Sequence, residues 1–243
     1  MTPGRTFATC GRVLRQLSHD PRSIALLLAA PSLLVGLFAW LLDEQEGAFD
    51  RYGGPILALF PFILMLVVTS VTTLRERRSG TLERLMTTPL GKGDFIVGYA
   101  LAFGLMAALQ AIITVGFAVV VCGLRVDGEI WQLGLVAVVD ALLGTGLGLL
   151  ASAFARTEFQ AVQFMPVLVF PQILLGGLIM PRDQMPDALQ AISDWLPLSY
   201  AVDAVNAVTS GAAGDLAKPL IIVGAVAIAA LAAAALTLRR RTP

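Results

Sequence analysis

The chain has 243 residues, of which 57% are hydrophobic and 14% are charged, and its mean hydropathy is +0.80. These values exclude an ordinary soluble globular protein and are typical of a protein with several membrane spans. One histidine and two cysteines are too few for a metal site of the Cys/His type, so we expect no bound metal. No nucleic-acid partner is expected either.

Six apolar segments are long enough to cross a membrane as helices. Each has about 19 residues or more, which is enough for a hydrocarbon core of roughly 30 Å. We therefore predict an all-α polytopic membrane protein with a single transmembrane domain over residues 1–243. The predicted spans are residues 24–42, 55–74, 96–121, 133–155, 161–180 and 219–238.

Residues 1–23 form a basic segment ahead of the first span. Within residues 5–20, apolar side chains recur at helical spacing and arginines lie elsewhere around the helix. This pattern predicts an amphipathic helix whose arginines meet anionic lipid headgroups, although simple anchoring beside the membrane is a sufficient explanation. The apolar positions are Phe7, Cys10, Val13, Leu14 and Leu17, and the basic ones are Arg5, Arg12 and Arg15.

A short charged segment, residues 75–95, separates the second and third spans. Thr81 can cap a helix here, and Glu83 in its first turn complements the helix dipole. Pro89 ends the helix. Spacing alone leaves two interpretations, a helix that lies on lipid and a helix on which another protein docks. The predicted apolar face consists of Leu82, Leu85 and Met86.

Few polar side chains fall within the predicted spans. Asp140 is the one acidic residue among them, and a carboxyl at membrane depth is a candidate functional group because its burial is costly. It can carry protons, bind a cationic substrate or pair with a polar neighbour. Gln110, Gln163 and Gln172 are further candidate pathway residues, although amides within spans usually bond between helices.

The longest connection, residues 181–218, carries two short helical patterns at 187–196 and 200–208. Neither is long enough to span, so both are predicted as re-entrant or interfacial helices on the outer side of the membrane. Trp195 and Tyr200 suit the aromatic belt of a membrane surface.

Basic residues are distributed unevenly between the loops. The positive-inside bias therefore predicts that both termini and residues 75–95 are cytoplasmic. Thirteen of the 17 lysines and arginines lie in residues 1–23, 75–95, 156–160 and 239–243.

The 75–95 segment resembles the cytoplasmic coupling helix of ABC-2 type permeases, the membrane subunits of bacterial exporters of drugs or antibiotics, lipids and polysaccharides. That helix follows approximately the pattern Glu-x-x-x-Gly-Thr-Leu-Glu-x-Leu-x-x-Thr-Pro. A second resemblance covers the Gly-rich fifth span and the Leu-Pro-Leu-Ser-Tyr sequence that ends at Tyr200. The matching positions of the coupling helix are Glu76, Gly80, Thr81, Leu82, Glu83, Leu85, Thr88 and Pro89.

The resemblance implies that the chain works in the bacterial inner membrane with a separate ABC ATPase subunit and a second permease, identical or related. ATP and magnesium would bind to the ATPase, because this chain has no phosphate-binding loop and is not expected to be an enzyme. The coupling helix would dock in a groove of the ATPase. Its apolar side chains would fill pockets there, and Glu76, Glu83 and Arg84 would contact the rim. The predicted coupling residues are Glu76, Gly80, Thr81, Leu82, Glu83, Arg84, Leu85, Met86 and Pro89.

The expected function is thus ATP-driven export of an amphipathic drug, antibiotic or lipid, which apolar spans fit better than a long polysaccharide. Two alternatives stay open. One is a proton-coupled efflux carrier that uses Asp140 and needs no ATPase. The other is a non-transporting membrane scaffold that binds an ATPase without any substrate-stimulated ATP hydrolysis.

Overall fold

The computed structural model describes residues 2–79, 91–155 and 157–237. This part of the chain is all helical, as predicted, and contains no strand. Short 3-10 turns at Arg182–Gln184 and Ala213–Asp215 interrupt the outer connections. The nine α-helices of the described part are α1 (Pro3–Ser18), α2 (Pro21–Leu41), α3 (Ala48–Arg78), α4 (Lys92–Val120), α5 (Ile130–Phe154), α6 (Glu158–Leu175), α7 (Asp187–Ser193), α8 (Pro197–Thr209) and α9 (Ala217–Thr237).

Six of these helices, α2 to α6 and α9, are long and apolar enough to cross a membrane. The predicted spans are confirmed in number and order, and their ends shift. α3 runs beyond both ends of the predicted 55–74 span. At its C-terminal end, this is because charged residues such as Arg75 and Arg78 still form helix well. α6 ends at Leu175, short of the predicted limit at residue 180, because Gly177 follows with a φ of 86°, a conformation outside the right-handed helix.

α5 is the central helix of the bundle and packs mainly against α3 and α9. Two of its glycines let α3 approach closely. A Cβ added to Gly144 would lie 2.3 Å from the backbone oxygen of Phe62, and one added to Gly148 would lie 2.5 Å from that of Leu66. Residues without a side chain at these two positions therefore set the spacing between α3 and α5.

α2 and α6 lie at the periphery, and few of their residues are buried. Their outward side chains are largely apolar, as in Leu33 and Trp40 of α2 and Val167 and Phe170 of α6. In a membrane-spanning chain, such surfaces face lipid or another membrane-embedded chain.

Residues 181–218 form two short helices, as predicted, with different limits. α7 ends at Ser193 rather than at residue 196. α8 begins at Pro197 rather than at residue 200, because proline is favoured in the first turn of a helix. The Arg182 guanidinium donates hydrogen bonds to the carboxylates of Asp194 and Asp203. It thereby joins the connection after α6 to both short helices.

Candidate coupling site and intramembrane polar residues

α1 lies against the first turns of α4. One carboxylate oxygen of Asp94 accepts hydrogen bonds from the Thr2 N–H at 3.0 Å and the Thr6 hydroxyl at 3.3 Å. The other oxygen accepts the Gly91 N–H at 3.1 Å. One turn further along α4, a Cβ added to Gly98 would lie only 2.6 Å from a side-chain carbon of α1. The start of α1 is therefore fixed to the start of α4 by hydrogen bonds and by close packing.

Arg12 of α1 reaches both α3 and α4. Its guanidinium donates hydrogen bonds to Glu76 Oε1 at 2.9 Å and to the Tyr99 hydroxyl at 2.9 Å. The Glu76 side chain is only 4% exposed, whereas that of Arg12 is 30% exposed. A buried carboxylate is stable only with a close cation or several hydrogen bonds. Arg12 supplies the close cation and one hydrogen bond to Glu76.

Glu76 is the one predicted coupling residue that lies within the described part of the chain. Its side chain is buried beneath α1, because this side of α3 packs against neighbouring helices, and its contact with the rim of the ATPase groove stays a prediction. No sequence pattern connects Glu76 to Arg12, which lies 64 positions earlier, and the role of Tyr99 was likewise not predicted. The other predicted coupling residues lie outside the described part of the chain: Gly80, Thr81, Leu82, Glu83, Arg84, Leu85, Met86 and Pro89.

Asp140 and Gln110 are fully buried in the middle of the bundle. Within residues 2–79, 91–155 and 157–237, neither carboxylate oxygen of Asp140 has a hydrogen-bond partner, nor has either polar atom of the Gln110 amide. Buried polar groups are normally paired. These two residues are therefore the strongest candidates within the spans for groups that act on a substrate or a proton.

The other two predicted amides have different surroundings. Gln172 is buried, and its Oε1 accepts the Leu198 N–H at 3.1 Å while its Nε2 donates to the Leu168 carbonyl at 2.9 Å. Both polar atoms of Gln172 are thus used within the chain. Gln163 is exposed on the outward face of α6, where it can meet a group outside this chain.

Residues 181–218 hold a charged cluster around Arg182. Burial raises the pKa of Asp203, and the positive charge of Arg182 offsets only part of that effect. The Tyr200 hydroxyl donates to the Asp194 carbonyl at 2.9 Å. A cavity of about 490 Å³ opens beside the cluster, between the start of α3 and the end of α8, with Asp50 and Asp203 in its lining.

An apolar groove of about 240 Å³ lies between α5 and α6, on the side where α5 ends and α6 begins. Its surface is formed by hydrophobic side chains alone. It therefore suits a hydrocarbon chain or an aromatic ring rather than a charged group. The groove is lined by Leu147, Leu150, Ala151, Phe154, Phe164, Val167 and Leu168.

Known proteins resemble this chain over most of its length. It is 30% identical over 148 residues to the probable multidrug ABC transporter permease YbhR of Escherichia coli K12, an alignment that covers 61% of this chain and 40% of YbhR. It is 26% identical over 186 residues to the linearmycin resistance permease protein LnrN of Bacillus subtilis, which covers 71% of this chain and 46% of LnrN. The chain thus spans less than half the length of these relatives.

The family profile of the ABC-2 type transporters matches residues 5–209. This range begins within α1 and continues through the charged segment 75–95 and the five helices α2 to α6 as far as the end of α8. The two motifs that resemble ABC-2 permeases lie inside it. The chain therefore belongs to the ABC-2 type transporter family.

Proposed function

We propose that the chain is the membrane subunit of an ATP-driven exporter in the bacterial inner membrane, with both termini in the cytoplasm. A separate ATPase subunit would dock on residues 80–90 and supply the energy. The observation that carries the proposal is that the chain on both sides of this segment is bonded to α1. Glu76 before it and Asp94 after it are both bonded to α1. A segment held at both ends can pass a displacement to the helices that flank it.

Amphipathic compounds are the proposed substrates. Two relatives are named as multidrug and linearmycin resistance permeases, which supports a drug or an antibiotic. The groove between α5 and α6 would accept the apolar part of such a molecule. A polar or cationic part would bind to the buried side chains of Asp140 and Gln110.

A second permease subunit would complete the pathway. Gln163 presents an exposed amide on a helix face whose neighbours include Val162, Val167 and Phe170, all exposed. An amide that faces lipid has no partner, whereas one that faces a second copy can bond between helices. We therefore place the contact between the two copies along α6.

The docking step is tested with Leu85→Asp in the complex of permease and ATPase. A charge forced into an apolar pocket costs several kcal/mol, so ATP hydrolysis should lose its response to substrate while the permease still inserts in the membrane. Leu85→Met, which keeps an apolar side chain of similar volume, is the matched control. Normal transport by Leu85→Asp would show instead that the segment lies on lipid. A stable complex whose ATP hydrolysis never responds to substrate would indicate a scaffold.

One observation favours a second candidate, a proton-coupled carrier. Asp140 is fully buried, and neither of its carboxylate oxygens has a partner among the described residues. Such a carboxyl can take up and release a proton during a transport cycle. This mechanism needs no ATPase, so its transport would persist without one.

A further inference from the structure

Two sets of contacts along α1 flank the same segment, residues 80–90. Arg12 binds Glu76 on α3, four residues before residue 80. Thr2 and Thr6 bind Asp94 on α4, four residues after residue 90, and Asp94 also accepts the Gly91 N–H. α1 is therefore bonded to the chain on both sides of residues 80–90.

The contact between α1 and α4 is also tightly packed. Cys10 is 6% exposed and Val13 is 2% exposed, and both belong to a hydrophobic cluster that includes Phe95 and Tyr99 of α4. The absence of a side chain at Gly98 lets the backbones approach. Helices joined in this way move together rather than independently.

We propose that Arg12, Glu76 and Tyr99 form a clasp that makes α1 the common support of the helices on both sides of residues 80–90, the part of the predicted coupling segment between Glu76 and Asp94. Glu76 is thus a positioning residue that acts through Arg12 rather than a contact residue of the ATPase. The clasp is expected to couple ATP hydrolysis to export, and this part of the inference rests on the proposed function. The clasp itself is a property of the permease alone.

The charges explain why the clasp is sensitive to substitution. Glu76 is buried and ion-paired with Arg12, so removal of the Arg12 charge leaves a buried carboxylate without its cation, which is strongly unfavourable. Reversal of both charges keeps an ion pair in the same place. Tyr99→Phe removes one hydrogen bond to Arg12 and keeps the ring in the cluster, so it should have the smallest effect of the series.

Cys10 provides a native probe for the clasp. Its side chain is buried in the contact between α1 and α4, and burial raises the pKa of its thiol, so both access and ionisation oppose alkylation. In a Cys122→Ser background, Cys10 is the only cysteine of the chain. Release of α1 from α4 would expose it to a maleimide.

The experiment measures maleimide labelling of Cys10 in the full-length permease in native membrane vesicles. We expect Arg12→Glu and Glu76→Arg each to raise the labelling rate by about tenfold or more. Loss of one partner of a buried ion pair destabilises the contact by a free energy that corresponds to more than a tenfold change in the fraction of open molecules. The double variant R12E/E76R should restore protection. Arg15→Glu is the matched control, because it makes the same change of charge on the exposed face of α1, and it should leave Cys10 protected.

The second readout is the ratio of substrate exported to ATP hydrolysed, in the complex with the ATPase. The single variants should lower this ratio while the ATPase still copurifies, and the double variant should raise it again. Cys10 protection unchanged by Arg12→Glu, or a double variant no better than either single variant, would overturn the clasp. If export proves independent of ATP, the proposed function fails, and the labelling result still decides whether the clasp exists.

Discussion

Gln172 holds the first turn of α8 in place. Its Oε1 accepts the Leu198 N–H, one of the backbone donors at a helix start that have no partner within the helix. The Ser193 hydroxyl donates to the Leu175 carbonyl at 2.6 Å and strengthens the same junction. At the scale of single residues, this amide positions the start of α8, and its role as a pathway residue stays a prediction.

The Gln172→Leu variant should lower the stability of the permease. It leaves the buried N–H of Leu198 unpaired, which costs about 1–3 kcal/mol. The measurement is the thermal unfolding midpoint of the purified protein in detergent. Gln184→Leu removes an exposed amide from the same outer segment and should leave the midpoint unchanged. Equal midpoints for the two variants would show that Gln172 has no structural role.

At the scale of helices, the contact between α3 and α5 fixes the centre of the bundle. Gly144→Ala would place a Cβ 2.3 Å from a backbone oxygen of α3, so the helices must separate, at a cost of about 1–3 kcal/mol. Gly134→Ala is the matched control on α5, since its Cβ would meet nothing within 4 Å, and alanine favours the helix. Thermal unfolding midpoints should fall for Gly144→Ala and not for Gly134→Ala. A fall of the same size in both would mean that helix contact is not the cause.

Periodicity and hydropathy predicted the helices well, because long apolar runs can satisfy their backbone in a membrane only as helices. They predicted helix ends less well. The early end of α6 depends on the conformation of Gly177, and the start of α8 depends on Pro197. Both features are single residues within apolar sequence, so average hydropathy does not reveal them.

Long-range pairing could not be predicted from one sequence. The amphipathic pattern placed Arg12 on the polar side of α1, where lipid headgroups were the expected partner. Its actual partners in the described chain include Glu76 and Tyr99, which lie far away in sequence. Likewise, the motif marked Glu76 as part of the coupling helix, but only the packing of α1 shows that its carboxylate points inward.

At the scale of the whole molecule, the proposed function requires residues 80–90 to lie on the cytoplasmic side of the membrane, where the ATPase would bind. The excess of lysine and arginine in the segments around it predicts a cytoplasmic position. Single cysteines at Ser79 and Asp187, both exposed, can report this in a background without Cys10 and Cys122. We expect a membrane-impermeant maleimide to label the first only from the cytoplasmic side and the second only from outside. Labelling of both from one side would contradict the six-span topology.

The source of energy is the central question for the whole complex, and the carboxyl of Asp140 separates the two possibilities. An amide cannot change its protonation state, so a proton carrier would lose transport in Asp140→Asn. In an ATP-driven exporter the same substitution keeps the shape of the side chain, and transport should persist, with at most a changed preference among cationic substrates.

The most direct measurement is transport in proteoliposomes that contain the wild-type permease or Asp140→Asn, driven by ATP with the ATPase subunit or by an imposed pH gradient alone. We predict that both proteins transport only when ATP and the ATPase are present. Transport by the wild-type permease that is powered by the gradient alone and abolished in Asp140→Asn would contradict ATP-driven export.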